Sequence, residues 1–417
     1  MHEKYTGRIQ LRGAILELHI LGTRGIPATH GGFETFAEQL SLFLASKGHH
    51  VTVYCQLGPN EPEFRDVWRD INRVGLSEKT GPVGTIRFDF RSALIASRHR
   101  NATILTLGYN TAVFSVIHRF RGVHHLMNMD GIEWKRQKWG RAQRLWLRVN
   151  EWCGSHLANA LIADHPEIKN HLSRSVPSEK ITVIPYGADT IEQADSEIVH
   201  KLGLEVGKYF LLVARPEPEN SVLDIVKAYA QKPRSFRLVI LGKYVPDQIP
   251  YHAEVLKTAE NTGILFPGSI YDTAKLQALR LHAAAYLHGH QVGGTNPSLV
   301  ESLAAGNAVI AHDNRFNRWV AGPSARYFSS VDQLGIHFDQ LQENPWLLEK
   351  MRSESKLRHN LYFKRVPVLE AYEQLLLGSQ LQENIWSLSA DDLGRTAPAT
   401  RYSDRPTDPA PDVLARR

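Results

Sequence analysis

Residues 22–40, GTRGIPATHGGFETFAEQL, decide the reading of this chain. Before them, Ile15 to Leu21 forms an apolar run of the length of a buried strand. After them, Phe33, Phe36, Ala37, Leu40, Phe43 and Leu44 fall on one face of a helix running from Phe33 to Ser46. Gly48 stands where helices commonly end, and Val51 to Cys55 reads as the next strand. Strand, helix and strand in this rhythm form a β-α-β unit and require a parallel sheet. The pair Gly31-Gly32 opens the helix. Read alone, the pair is either a sharp turn or a place where a phosphate approaches bare backbone at a helix N-terminus, with Arg24 adding charge. A nicotinamide-binding loop needs G-x-G-x-x-G and an acid ending the second strand; the spacing is absent and Gln56 follows that strand.

The rhythm continues through apolar stretches at Ala102–Leu107, Leu157–Ala163 and Ile181–Ile184. It is interrupted by a polar, acidic stretch over Thr190–Gly207, which reads as a linker with a short helix. It then restarts, with strands at Tyr209–Ala214, Arg237–Leu241, Gly263–Phe266, Ala285–Leu287 and Ala308–Ala311. Helices are expected at Val222–Ala230, Thr273–His282 and Pro297–Ala305. The expectation is an α/β protein of two Rossmann-like, doubly wound domains, over 14–190 and 205–365, with a disordered tail at 391–417 rich in Pro, Arg, Asp and Thr.

A chain of 417 residues is too long for one ordinary core, which agrees with two domains. A net charge of +6 suits anionic ligands or an anionic membrane surface and is too small to imply nucleic acid. Two isolated cysteines, Cys55 and Cys153, make no disulfide framework and point to a reducing cytoplasm. The polar, basic first residues carry no secretory signal, and no window reaches the apolar length of a membrane span.

Residues 288–313, HGHQVGGTNPSLVESLAAGNAVIAHD, repeat the arrangement of the opening stretch in the second half. An apolar strand leads into a glycine-rich loop with Gly294, and Thr295 or Asn296 is placed to cap the helix that Pro297 begins. Glu301, one turn in, either receives two vicinal hydroxyls of a ribose or completes a capping box with Ser298. Two phosphate-friendly helix starts, one per domain, fit one nucleotide diphosphate held between them.

These segments, together with MDGIEWKRQKW (129–139), VIPYGAD (183–189) and ARPEPENS (214–221), resemble in order the retaining glycosyltransferases of family 4, and within them the rhamnosyltransferase-like subgroup. The resemblance runs from about Leu18 to Leu377. It implies the GT-B fold, two Rossmann-like domains facing a central cleft, with a C-terminal helix in 369–390 packing back on the first domain. It implies that Gly31 and Gly32 lie near the donor diphosphate and acceptor, that Arg215 pairs with the diphosphate, and that Glu301 binds the ribose. Asp130 falls where many relatives carry a histidine near the reacting sugar. Two departures stand out: the earlier glutamate of Glu-x7-Glu is Gly293, and the lysine that commonly follows the diphosphate arginine is Asn220. Lys243 or Arg24 are the cations considered to compensate.

The chemistry that the resemblance implies is transfer of a sugar, specifically L-rhamnose from dTDP-rhamnose, from a nucleotide diphosphate to a saccharide or lipid-linked saccharide in cell-surface polysaccharide synthesis, with retention. Asp130 and Arg215 are the candidate catalytic residues. The donor-binding candidates are Arg24, Gly31, Gly32, Arg215, Gly294, Thr295, Asn296, Ser298 and Glu301, and Glu34 and Glu133 are placed on the acceptor side. No cofactor is expected. No metal is expected either, since there is no Asp-x-Asp, and His288 and His290 lack a third ligand nearby. The stretch 133–153, EWKRQKWGRAQRLWLRVNEWC, reads as an amphipathic helix. Trp139, Ala142, Trp146, Val149 and Cys153 line its apolar stripe, and Arg141, Arg144 and Arg148 its basic one. That basic face is either simply solvated or, over 134–153, meets anionic lipid at the inner face of the plasma membrane. The rival readings are a GT-B-like nucleotide-sugar epimerase or phosphorylase, and a degenerate sugar-nucleotide-binding protein.

Overall fold

The computed structural model describes residues 15–29, 31–136, 138–378 and 386. The tail expected at 391–417 lies outside the described residues. The first parallel sheet begins with β1 (Glu17–Leu21), α1 (Gly32–Ser46) and β2 (His50–Leu57), the unit read from the opening stretch. A hairpin follows, β3 (Phe64–Trp68) and β4 (Ile71–Ser77), then α2 (Pro82–Ala96), β5 (Thr103–Leu107), α3 (Ser115–Arg121) and β6 (His124–Asn128). The domain closes with α4 (Arg141–Leu157), β7 (Ala160–Ala163), α5 (Pro166–Leu172) and β8 (Ile181–Val183). Its sheet has the order β3-β4-β2-β1-β5-β6-β7-β8 and is parallel except for β3, which pairs antiparallel with β4 at one edge.

The expected linker carries only α6 (Glu197–His200). The second domain then runs β9 (Tyr209–Val213), α7 (Val222–Ala230), β10 (Arg237–Leu241), α8 (Pro250–Thr258), β11 (Leu265–Gly268), α9 (Thr273–Leu281), β12 (Ala285–His288), α10 (Pro297–Ala304), β13 (Ala308–His312), α11 (Arg315–Ala321), β14 (Arg326–Phe328), α12 (Val331–Glu343) and α13 (Pro345–Tyr362). Its sheet, β11-β10-β9-β12-β13-β14, is wholly parallel and has the doubly wound order in which the chain reverses direction beside its first strand. Both sheets are covered on two faces, so their central strands are continuous apolar runs. Leu211, Leu212, Ile240, Leu287 and Ile310 are fully buried.

The last described helix, α14 (Arg365–Leu376), returns to the first domain. Phe36 of α1 packs on Tyr372 at 4.7 Å, and Glu373 accepts hydrogen bonds from Lys47 and His49. It starts before the expected position 369; of residues 379–390 only Trp386 is described, and its indole donates to the Tyr362 carbonyl. Where the chain crosses between domains, two strands of backbone lie side by side: Ala188 N–H donates to Phe363, and Arg365 N–H donates to Ala188. Gly187 permits this, since a Cβ there would stand 2.9 Å from the Arg365 Cα. No described helix is long and apolar enough to cross a membrane.

Candidate functional site

At the carboxyl ends of the two sheets, the segments after β1, β6 and β7 face those after β9 and β12. Between them lies a cleft of about 320 Å³. Two helix N-termini meet there: a Cβ on Gly32, the first residue of α1, would lie 3.7 Å from Pro297, the first residue of α10. Gly32, Asp130, Glu133, Arg215, Gly294, Thr295 and Asn296 all line the cleft.

The first-domain wall is shaped by Asn128. Its Oδ1 accepts the Asp130 N–H at 2.9 Å, while its Nδ2 donates to the Tyr372 hydroxyl at 2.8 Å. This turns the chain sharply, and Asp130 takes a left-handed φ of 50°. Burial raises its carboxyl to about 6, helped by the neighbouring charge of Glu133. Glu133 itself is committed: it accepts from Arg136 at 2.8 Å and from the Trp139 indole at 3.4 Å. Arg136 also reaches across to Glu219 of the second domain at 2.8 Å.

The second-domain wall is mainly backbone. Arg215 follows β9, and its guanidinium is exposed, with Glu217 at 3.5 Å. Asn220 does not replace the missing lysine as a cation; its Nδ2 donates to the Arg215 carbonyl at 2.8 Å and so braces the loop that carries Arg215. Gly293 holds φ 139°, a conformation that a glutamate would not adopt without strain. Asn296 caps α10, accepting the Ser298 N–H at 3.0 Å. His288 and His290 stack at 4.3 Å and are held neutral: burial, then the charges of Arg136 and Arg215, push His290 down to about 3.

Several expected residues sit elsewhere. The Arg24 side chain is exposed over a neighbouring depression and does not line the cleft; its N–H donates to Glu34 at 3.0 Å. Glu34, expected on the acceptor side, braces the loop after β1 and does not line the cleft. Gly31 is the exposed residue before α1, beside the cleft. The Ser298 hydroxyl is turned to Tyr286, 2.9 Å away. Glu301 pairs with the buried Arg280 at 2.5 Å and accepts from Tyr186, a residue of the cleft wall, at 3.3 Å. The capping box with Ser298 is not formed, because Asn296 is the cap and the Glu301 carboxylate is engaged by side chains. Lys243, like Arg24, does not line the cleft; the further cation that does is Arg136.

Asp164 escaped the sequence reading. It directly follows β7, at the carboxyl end of a parallel strand where ligand sites gather, and that position is the signal that would have found it. Among the described residues one group of metal-type ligands comes together, Glu17, His19 and His99. It lies at the amino end of β1, away from the cleft.

The basic helix differs from its expected face. The buried side of α4 is Leu147, Asn150, Cys153 and Gly154, with Asn150 accepting the Val113 N–H at 2.9 Å. Of the expected apolar stripe, Ala142, Trp146 and Val149 are exposed. Leu145 and Trp152 are exposed beside them, and α3 adds Val116 and Phe120, the latter 87% accessible.

Residues 15–189 match a family described as a domain of unknown function, DUF1972. A search among curated proteins finds no match to the sequence. Among solved structures, sucrose-phosphate synthase from Thermosynechococcus elongatus superposes with a TM-score of 0.74 at 18% identity, covering 87% of this chain and 100% of that one. HepE of Anabaena, solved with UDP and glucose, gives 0.69 at 14% identity over 87% and 100% of the two chains. The α,α-trehalose 6-phosphate synthase of Burkholderia multivorans gives 0.66 at 10% identity over 88% and 97%. The fold is GT-B. Both halves and the returning helix of this chain therefore belong to one GT-B architecture, with the cleft between its two sheets.

Proposed function

We propose that this chain is a glycosyltransferase that takes a sugar from a nucleotide diphosphate and passes it, with retention, to a saccharide or lipid-linked saccharide. One observation carries the reading: Gly32, Arg215 and the N-terminus of α10 line a single cleft. A leaving diphosphate develops negative charge, and helix N-termini and a free guanidinium are the groups that stabilise it. His290, near Arg215, is held neutral by burial and adds no competing positive charge. Similar folds hold UDP, and UDP with glucose, in HepE. L-Rhamnose from dTDP-rhamnose, and a role in cell-surface polysaccharide synthesis, rest on the sequence resemblance. Asp130 orients the acceptor hydroxyl in this reading. Glu301, held by Arg280 and Tyr186, presents its carboxylate edge to the donor ribose.

The exposed apolar side chains of α3 and α4, flanked by Arg119, Arg141 and Arg148, form the surface through which the enzyme meets an anionic membrane at the cytoplasmic face. Turnover decides the function. A panel of nucleotide sugars is incubated with saccharide acceptor, with inorganic phosphate, and with neither. Release of nucleotide diphosphate only with acceptor is the expected result. Donor conversion with phosphate alone, or with no acceptor, would identify a phosphorylase or an epimerase, and binding without turnover a degenerate binding protein.

A further inference from the structure

Asp164 belongs to the first domain, yet its side chain is built into the glycine loop of the second. Its Oδ2 accepts the Thr295 N–H at 2.9 Å, and the Thr295 hydroxyl donates to the Asp164 carbonyl. A Cβ on Gly294 would stand 2.2 Å from Oδ1, so only glycine leaves room for this carboxylate. Oδ1 itself is shut off from solvent and has no hydrogen-bond partner. The residue lines the cleft together with Asp130.

A sugar ring presents several hydroxyl donors, which need acceptors once water is expelled. The second-domain loop offers main-chain N–H groups, but Gly293 and Gly294 give it no carboxylate. On the first-domain wall, Glu133 is occupied by Arg136 and Trp139, and Asn128 by Asp130 and Tyr372. Of the two aspartates that line the cleft, Asp130 is the acceptor-side candidate, and Asp164 keeps one oxygen without a partner. We propose that Asp164 is the residue that receives a hydroxyl of the donor sugar, a carboxylate supplied by the first domain where the second-domain loop offers main-chain groups. The inference rests on the glycosyltransferase reading and adds the sugar subsite to it. It also ties recognition to closure, because the acceptor oxygen and the diphosphate-binding loop come from different domains. A nucleotide diphosphate without its sugar has no use for Asp164.

The neighbouring carboxyls support a hydroxyl ligand over a cation or an anion. Burial, then the charge of Asp130, holds the Asp164 carboxyl up at about 7. With both carboxyls held up by burial, the pocket disfavours two full negative charges, and a neutral hydroxyl suits it. The groups facing Asp164 are Asp130 and Tyr372, with Thr295 from the second domain.

The test is calorimetric binding of UDP, dTDP and GDP, each with and without its sugar (UDP-glucose, dTDP-L-rhamnose and GDP-mannose), to wild type and to Asp164→Asn. Asparagine keeps an oxygen for the Thr295 N–H and removes the free acceptor. Asp164→Ala and the thermal midpoint of each variant serve as the fold controls. Expected is a tenfold or larger loss of affinity for the nucleotide sugar that wild type binds, with the matching nucleotide diphosphate changed less than threefold. Equal loss for both ligands in a folded variant would make Asp164 a structural latch and overturn the proposal, as would no loss for either. If wild type binds none of the nucleotide sugars, the glycosyltransferase reading itself falls.

Discussion

In the proposed reading, Arg215 is the cation that meets the diphosphate. Its guanidinium is largely solvent-exposed, loosely paired, and carried on a loop that Asn220 holds in place. A charge-assisted hydrogen bond contributes roughly 1.5–3 kcal/mol, so Arg215→Ala is expected to weaken nucleotide diphosphate binding about ten- to hundredfold while leaving the melting point unchanged. Calorimetry with dTDP and UDP reads the first, a thermal melt the second. The two raised carboxyls make a separate prediction. Burial lifts Asp130 to about 6 and Asp164 to about 7, above the ordinary value of 3.8 that the unfolded chain would have. The folded state therefore binds protons more tightly. This contribution is fully present below about pH 4 and is lost as pH rises through 6 and 7. Asp164→Asn removes one of the two groups, so the variant's melting point relative to wild type is expected to climb between pH 5 and pH 8. A difference that stays constant across that range would contradict the burial of this carboxyl.

At the scale of elements, α14 and the α3–α4 face carry the clearest consequences. Tyr372 on α14 accepts from Asn128, and Asn128 in turn shapes the turn that presents Asp130. Tyr372→Phe keeps the ring against Phe36 but leaves a buried amide without its acceptor, at a cost of about 1–3 kcal/mol. The expected outcome is a lower denaturant midpoint together with reduced turnover, because the Asp130 loop loses its support. The α3–α4 face predicts a different phenotype. Phe120→Asp with Trp152→Asp replaces two exposed apolar side chains that pack little on the core. Flotation with vesicles containing anionic lipid is expected to be lost, with turnover on a soluble acceptor retained. Unchanged flotation would remove the membrane role of this face.

At the scale of the whole molecule, the paired backbones at Ala188 and Phe363–Arg365 join the two domains. Gly187 lies against Arg365 and Val368, each within 3.0 Å of where a Cβ would be. Gly187→Ala forces the paired backbones apart, and overpacking of this kind costs about 1–3 kcal/mol. Both stability and donor turnover are expected to fall, measured by denaturant unfolding and by nucleotide diphosphate release. Loss of stability with full turnover would show that this crossing is only a tether. Contacts such as Arg136 with Glu219 and Asp164 with Thr295 span the same gap. In the proposed reading, a donor enters a cleft whose two walls are already joined by these contacts.

The sequence by itself determined the strands and helices whose apolar periodicity is local. Helix Val222–Ala230 and strand Arg237–Leu241 were legible to the residue, and the two glycine loops were legible as helix starts at strand ends. The hairpin of β3 and β4 and the short helix α3 were not, because their half-exposed residues show no clean period. Only the tertiary structure decided which candidates share a cleft. Arg24 and Glu34 sit within the same short stretch as Gly32, yet the loop's own hydrogen bonds turn them from the gap. Asp164 and Thr295 are 131 positions apart, and nothing in either local segment marks them as partners. Local pattern reports which face of an element meets apolar neighbours. Which polar groups meet across two domains depends on how complete sheets are stacked and closed, and that is a property of the whole packed chain.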